Sequence, residues 1–278
     1  MAAKICLVTG ASAGIGRATA LELLRAGHTV YGVARRVDRL EDIRKAGGHT
    51  LAMDVTKEED LRRVVDTILA EQSRIDVLVN NAGVGVYGAA EDVPLDTARH
   101  QFEVNLFGPA RLIQLVLPGM REHHSGTIIN VSSIAGVISL PLGAWYHASK
   151  HALEGYSDTL RQEVGRFGIK VVVVQPGLIK TEFESSTPRD LREVSGKGAY
   201  ASVAHAMADR AEAAFAGKNK ASDPSVVAQA IRTAIDAKAP KPRYAVGYLA
   251  KLLLSGGLGM ARWHVPALWS QAFGLFVL

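Results

Sequence analysis

Ile5-Cys-Leu-Val-Thr-Gly-Ala-Ser-Ala-Gly-Ile-Gly16 is the stretch that decides the fold. A short apolar run ends in a turn with glycines at 10, 14 and 16, and helical periodicity over Ile15–Ala26 follows at once. An apolar run with no polar alternation reads as a strand buried on both faces, the condition of a parallel sheet. Similar runs recur at Thr29–Val33, Thr50–Met53, Val77–Val79, Thr127–Val131, Val171–Val174 and Tyr244–Val246. Helical periodicity fills the intervals at Arg39–Ala46, Glu58–Glu71, Asp96–Arg121, Ala148–Arg166 and Pro224–Ala237. Strands joined by helices predict one α/β domain: a Rossmann-like, doubly wound parallel sheet of about seven strands with helices on both faces.

Composition narrows the class. With 278 residues, 48% hydrophobic and 21% charged, the chain is too apolar for disorder and long enough for one large core. The net charge of +5 is spread along the chain, with no basic run interleaved with aromatics. A nucleic-acid face is therefore not expected, and an anionic small ligand accounts for the balance. The single cysteine, Cys6, excludes a disulfide framework and a cysteine metal site, and no histidine spacing suits a metal, so no metal is expected. Nothing resembles a signal peptide or reaches the ~18 apolar residues of a membrane span. Those readings make the cytoplasm the expected location.

The glycine turn carries chemistry as well as shape. Gly10, Gly14 and Gly16 let a pyrophosphate approach the first helix, whose unpaired N–H groups favour an anion. About 20 residues on, a dinucleotide fold selects its cofactor: an acid binds the ribose 2′-hydroxyl of NAD, arginine the 2′-phosphate of NADP. Here Ala34-Arg35-Arg36 stands at that point, so NADP(H) is favoured over NAD(H); a solvated helix start is the alternative. Asp54 ends the third strand and is placed either to accept from an adenine amino group or to cap a helix. Asn80-Asn-Ala-Gly83 ends the fourth, where the amides tie strand ends together or form an Asx turn. Asn105 falls inside an expected helix, where asparagine is mildly unfavourable. It marks a local distortion or a functional amide, unless it is simply exposed.

Tyr146-His-Ala-Ser-Lys150 places a phenol and an ammonium one helical turn apart. A phenol, with a reference pKa of about 10, is a poor acid at neutral pH. A cation at about 5 Å and an effective dielectric of about 20 favours the phenolate by about 3 kcal/mol. That suits a general acid/base, although alone the pair also reads as a half-buried tyrosine beside a solvated lysine.

Taken together these motifs resemble the short-chain dehydrogenase/reductase superfamily, in its Tyr-x-x-x-Lys group. The resemblance runs from residue 4 to about 246, through Thr9–Gly16, Asp54, Asn80–Gly83, Asn105, Ser133, Tyr146, Lys150 and Pro176–Thr181, in order. It implies hydride transfer between a nicotinamide and a carbonyl or secondary alcohol. The implied catalytic set is Asn105, Ser133, Tyr146 and Lys150, with Ser132 a neighbour. Ser133 and Tyr146 bind the substrate oxygen, Lys150 holds the nicotinamide ribose, and Asn105 holds a water linking Lys150 to solvent. The implied cofactor contacts are Gly10, Ser12, Gly14, Ile15, Gly16, Arg35, Arg36, Asp54, Val55, Asn81, Ala82, Gly83, Tyr146, Lys150, Pro176, Gly177, Ile179 and Thr181. A homodimer or homotetramer is implied too.

Residues 1–247 are read as the catalytic domain and 248–278 as an apolar C-terminal extension. Within the domain, 178–223 is an insertion with a helical piece around Val203–Phe215, placed to cover a ligand crevice or to form a mobile loop. Arg243-Tyr244 and Gly247–Leu254 resemble the steroid and retinol dehydrogenase-like branch, which implies a steroid, retinoid or long-chain keto or aldehyde lipid as substrate. The tail, with Trp263, Trp269, Phe273 and Phe276, serves that pocket, packs on the domain or a second subunit, or lies on a membrane surface. The alternatives for the whole chain are a reductase of small carbonyl metabolites and a non-catalytic NADP(H)-sensing regulator.

Overall fold

The computed structural model describes residues 2–216 and 221–255. Seven strands form one parallel sheet: β1 Ile5–Thr9, β2 Thr29–Ala34, β3 His49–Ala52, β4 Val77–Asn80, β5 Gly126–Val131, β6 Ile169–Pro176 and β7 Arg243–Val246. Their spatial order is β3-β2-β1-β4-β5-β6-β7. The winding reverses between β1 and β4, and such a switch point opens a crevice at the strands' carboxyl ends. The apolar runs mark the buried strands because both faces are covered: every residue of β4 and β5 is buried.

Among the described residues ten α-helices accompany the sheet: α1 Gly14–Arg25, α2 Glu41–Lys45, α3 Glu58–Gln72, α4 Leu95–Phe102, α5 Gly108–Glu122, α6 Ala144–Val164, α7 Glu182–Ser195, α8 Ala201–Ala216, α9 Ser225–Asp236 and α10 Ala250–Ser255. One core packs α3, α5 and α6 on the sheet through Leu61, Val64, Ile68, Leu112, Ile113, Val116 and Leu160. The opposite core uses Leu23 of α1, Ile43 of α2 and Val227, Ile231 and Ile235 of α9. In α3 the apolar residues recur at helical spacing, and Glu58, Glu59 and Asp60 occupy the first turn, where the helix dipole favours acids. Cys6 is fully buried in the second core, and burial pushes its thiol pKa up.

Two expectations change. The helix expected over Asp96–Arg121 is interrupted by one π turn, Glu103–Phe107, between α4 and α5. Residues 178–223 hold two helices, α7 and α8, which pack on each other, where one was expected. Pro188 and the serine–threonine composition conceal α7 from periodicity; its burial comes from Leu191 against Ala204, Ala208, Ala89 and Leu142. At the start of the 248–278 stretch, Tyr248 forms an antiparallel bridge with Leu178, just after β6. The tail aromatics Trp263, Trp269, Phe273 and Phe276 lie outside the described residues. Among the described residues no helix is long and apolar enough to cross a membrane.

Candidate active site

The carboxyl ends of β1, β2, β4, β5 and β6 open into a cleft of about 670 Å³. Every expected site residue lines it except Asn105 and Gly16, which stand directly behind the lining. Gly10 and Gly14 carry positive φ of 66° and 53°, the left-handed region that glycine adopts without strain. Gly16 serves close packing: a Cβ there would fall 2.3 Å from Gly10 O.

Side chains of the strand ends lock the crevice open. Asn81 Nδ2 donates to Thr9 O at 2.9 Å, while the Asn81 and Ala82 amides donate to Thr9 Oγ1 at 3.0 and 2.9 Å. Asn80 Nδ2 donates to Asn130 Oδ1 at 2.9 Å, tying β4 to β5. The tie between strands is therefore what the Asn-Asn pair provides. Asp54 caps no helix, since Lys57 occupies that position of α3. Its Oδ1 accepts from Thr56 N and Thr56 Oγ1 at 3.0 and 2.8 Å. Burial opposes its ionisation, but those bonds with Arg35 and Lys57 nearby outweigh it and hold the carboxyl below its ordinary pKa.

Tyr146 and Lys150 lie on one face of α6, with Lys150 Nζ 6.0 Å from the phenol ring centre. The alternative of a solvated lysine fails: Lys150 is 5% exposed and donates to Val131 O at 3.0 Å. Burial lowers its pKa to about 8, against the opposing effect of Glu154. Glu154, one turn further along α6, accepts from Gln175 Nε2 at 2.9 Å and Arg243 Nε at 3.1 Å. Arg243 thus docks the edge strand β7 onto α6.

Asn105 is buried behind Gly83, where a Cβ would meet Asn105 Oδ1 at 3.4 Å and Lys150 Nζ at 3.8 Å. Its Oδ1 accepts from Val84 N and its Nδ2 donates to Val84 O, both at 2.9 Å, and to Ser149 Oγ at 3.0 Å. It is neither exposed nor in an ordinary helix: it sits in the π turn, a feature that recurs at functional sites. Ser133 lines the cleft with its Oγ accepting from Ala135 N at 3.1 Å. The Ser132 hydroxyl is buried at the packing contact with Gly136.

Several residues that shape the site were not expected from the sequence. His147 clamps the segment between Ser133 and Tyr146: its Nδ1 donates to Ile138 O at 2.7 Å, and its Nε2 accepts from Leu140 N at 3.2 Å. That pattern requires the neutral ring, and burial lowers its pKa accordingly. Tyr87 and Phe183 flank the Tyr146 ring at 5.5 and 5.6 Å between centres. Glu154 had a readable signal, a carboxylate one turn beyond Lys150 on a buried helix face. Tyr87 and Phe183 had none, since each reaches Tyr146 only once segments distant along the chain have packed together.

The short chain dehydrogenase family model matches residues 4–192. The chain is 44% identical over 197 residues, 71% of each chain, to a 3-ketodihydrosphingosine reductase of Bacteroides thetaiotaomicron. Among solved structures, a short-chain dehydrogenase from Streptomyces avermitilis superposes with a TM-score of 0.82 at 36% identity, covering 98% of both chains. A variant of actinorhodin polyketide ketoreductase with NADPH gives 0.76 at 29% identity, covering 87% of this chain and 94% of that one.

Proposed function

The chain belongs to the short-chain dehydrogenase family, and from that premise we infer that it is an NADP(H)-dependent oxidoreductase acting on a carbonyl or secondary alcohol of a hydrophobic substrate. One observation carries the reading: Ser133, Tyr146 and Lys150 line a single cleft with Arg35 and Arg36.

The donors fit the cofactor. Gly10, Gly14 and Gly16 leave the N-terminus of α1 clear for a pyrophosphate, and Arg35 and Arg36 offer guanidinium groups to a 2′-phosphate. The ionised Asp54 would accept from an adenine amino group, while Ser12, Ile15, Val55, Ala82, Pro176, Gly177, Ile179 and Thr181 would complete the walls. Bound there, the nicotinamide gives or takes the hydride.

The chain supplies the proton chemistry. Ser133 Oγ accepts from Ala135 N, which leaves its hydroxyl hydrogen free to donate to a substrate oxygen. The Tyr146 phenol donates the proton in reduction and recovers it in oxidation. Lys150 supplies positive charge beside the phenol and N–H donors for the ribose hydroxyls. The Asn105 carboxamide, fixed by Val84 and Ser149, stands with Lys150 Nζ behind Gly83, where Asn105 would hold the water leading from Lys150 to solvent.

For the substrate we favour a steroid, retinoid or long-chain keto or aldehyde lipid. Tyr87 and Phe183 give the mouth of the site aromatic walls, and one relative is named for a long-chain keto lipid. As a member of this family the enzyme is proposed to be a cytoplasmic homodimer or homotetramer. The test is a turnover screen with NADPH and NADH in parallel, over carbonyls from short aldehydes to ketosteroids and 3-keto lipids. Rates with NADPH that climb with apolar chain length support it; activity confined to small polar carbonyls overturns the lipid assignment.

A further inference from the structure

Glu182 opens α7 and lays its carboxylate across two guanidinium groups. Arg39 Nη1 donates to its Oε1 at 2.8 Å and to its Oε2 at 3.1 Å. Arg36 Nη2 donates to Oε2 at 3.2 Å and reaches Ser12 Oγ at 3.5 Å. Ser12, Arg36 and Glu182 all line the cleft, so a protein carboxylate lies where an anionic ligand would meet Arg36. The hydrogen bond from Arg36 leads the effects that hold the Glu182 pKa below its ordinary value, and the group is ionised at neutral pH.

The contact is a weak one. The three side chains are 48%, 45% and 60% exposed for Arg36, Arg39 and Glu182, and exposed ion pairs bind loosely. A phosphate monoester brings a charge of about −1.5 to −2 and three acceptor oxygens to the same guanidinium groups. The two anions repel each other, so one must yield. Thr181 packs near Gly14, and Phe183 packs on Tyr146 and against Gly85, which pins the backbone on both sides of Glu182. The exchange therefore needs only rotation of the Glu182 side chain.

We propose that Glu182 is a specificity residue whose carboxylate competes with the 2′-phosphate of NADP(H) for Arg36 and Arg39, and so limits the preference for NADP(H) over NAD(H). This rests on the assignment of Arg36 to the 2′-phosphate. A ligand with only a 2′-hydroxyl meets no such competitor.

The experiment measures equilibrium dissociation constants of the full chain for NADPH, NADH and adenosine 2′,5′-bisphosphate by titration calorimetry, with no substrate present. The variants are Glu182→Gln, Arg36→Gln, Arg39→Gln, and Glu182→Gln with both arginines replaced. Glutamine keeps the length of Glu182, removes its charge and leaves one of its two acceptor oxygens. Glu182→Gln is expected to shift the NADPH-to-NADH affinity ratio toward NADPH by about twofold to fivefold and to tighten the bisphosphate equally. The shift disappears in the triple variant. An unchanged ratio, or weaker NADPH binding in Glu182→Gln, overturns the proposal. If that occurs while Arg36→Gln still weakens NADPH, only the competition is wrong. If Arg36→Gln leaves NADPH binding intact, the phosphate assignment fails and the proposal falls with it.

Discussion

Asn105 Nδ2 donates to Ser149 Oγ at 3.0 Å, which fastens the π turn to α6 at the residue before Lys150. The same carboxamide holds both backbone groups of Val84. Replacing Asn105 by alanine strands those buried partners, so Asn105→Ala is expected to lose about 2–4 kcal/mol of stability and most turnover. Denaturant unfolding with steady-state kinetics checks both; a fully stable, fully active variant would contradict the placement.

Tyr146→Phe keeps the ring between Tyr87 and Phe183 and deletes only the proton donor. Turnover is expected to fall by about 10²- to 10⁴-fold while the NADPH dissociation constant changes little. Near-normal turnover would remove Tyr146 from the mechanism.

Glu154 works against the burial that lowers Lys150 to a pKa of about 8. Taking away that negative charge lowers the lysine further, so Glu154→Gln is expected to move the alkaline limb of the kcat profile to lower pH. A limb that stays in place, or moves up, would show that Lys150 does not govern it.

Burial of Lys150 also has a cost in stability. Its folded pKa, about 8, lies below the ordinary value of 10.5. Folding therefore favours the neutral amine: the favourable contribution is complete above the unfolded pKa and is lost as pH falls through about 8. Lys150→Met is expected to be inactive yet more stable by about 1–2 kcal/mol at neutral pH, a gain that shrinks toward pH ~10. Thermal unfolding at several pH values tests the sign.

Arg35 lines the cleft and lies near enough to Asp54 to lower its pKa. Arg35→Ala is expected to raise the KM for NADPH by roughly tenfold, the scale of one lost charge-assisted contact, and the KM for NADH far less. Equal effects on both cofactors would remove the phosphate role.

The alternation of apolar runs with helical segments was enough to read the parallel sheet, because strands buried on both faces leave a continuous apolar signature. The glycine turn, Asn81 and the Tyr146–Lys150 spacing were legible because their geometry is local: a positive φ, a strand end, one turn of helix. The π turn at Asn105 was visible only as a misplaced asparagine, since what holds it open is the backbone of Val84, 21 residues away. α7 was missed for a related reason, its stability coming from α8 rather than from its own periodicity.

The sequence by itself determined the winding of the sheet, the glycine-lined start of α1 and the order of the chemical groups along the chain. Tertiary structure alone decided the electrostatics around them. Lys150 is stripped of water by β5, Glu154 is held beside it by Gln175 and Arg243, and Arg36 meets Glu182 across 146 residues. Periodicity and turn chemistry act between near neighbours along the chain, whereas desolvation and charge pairing act through space and exist only once distant segments have packed together.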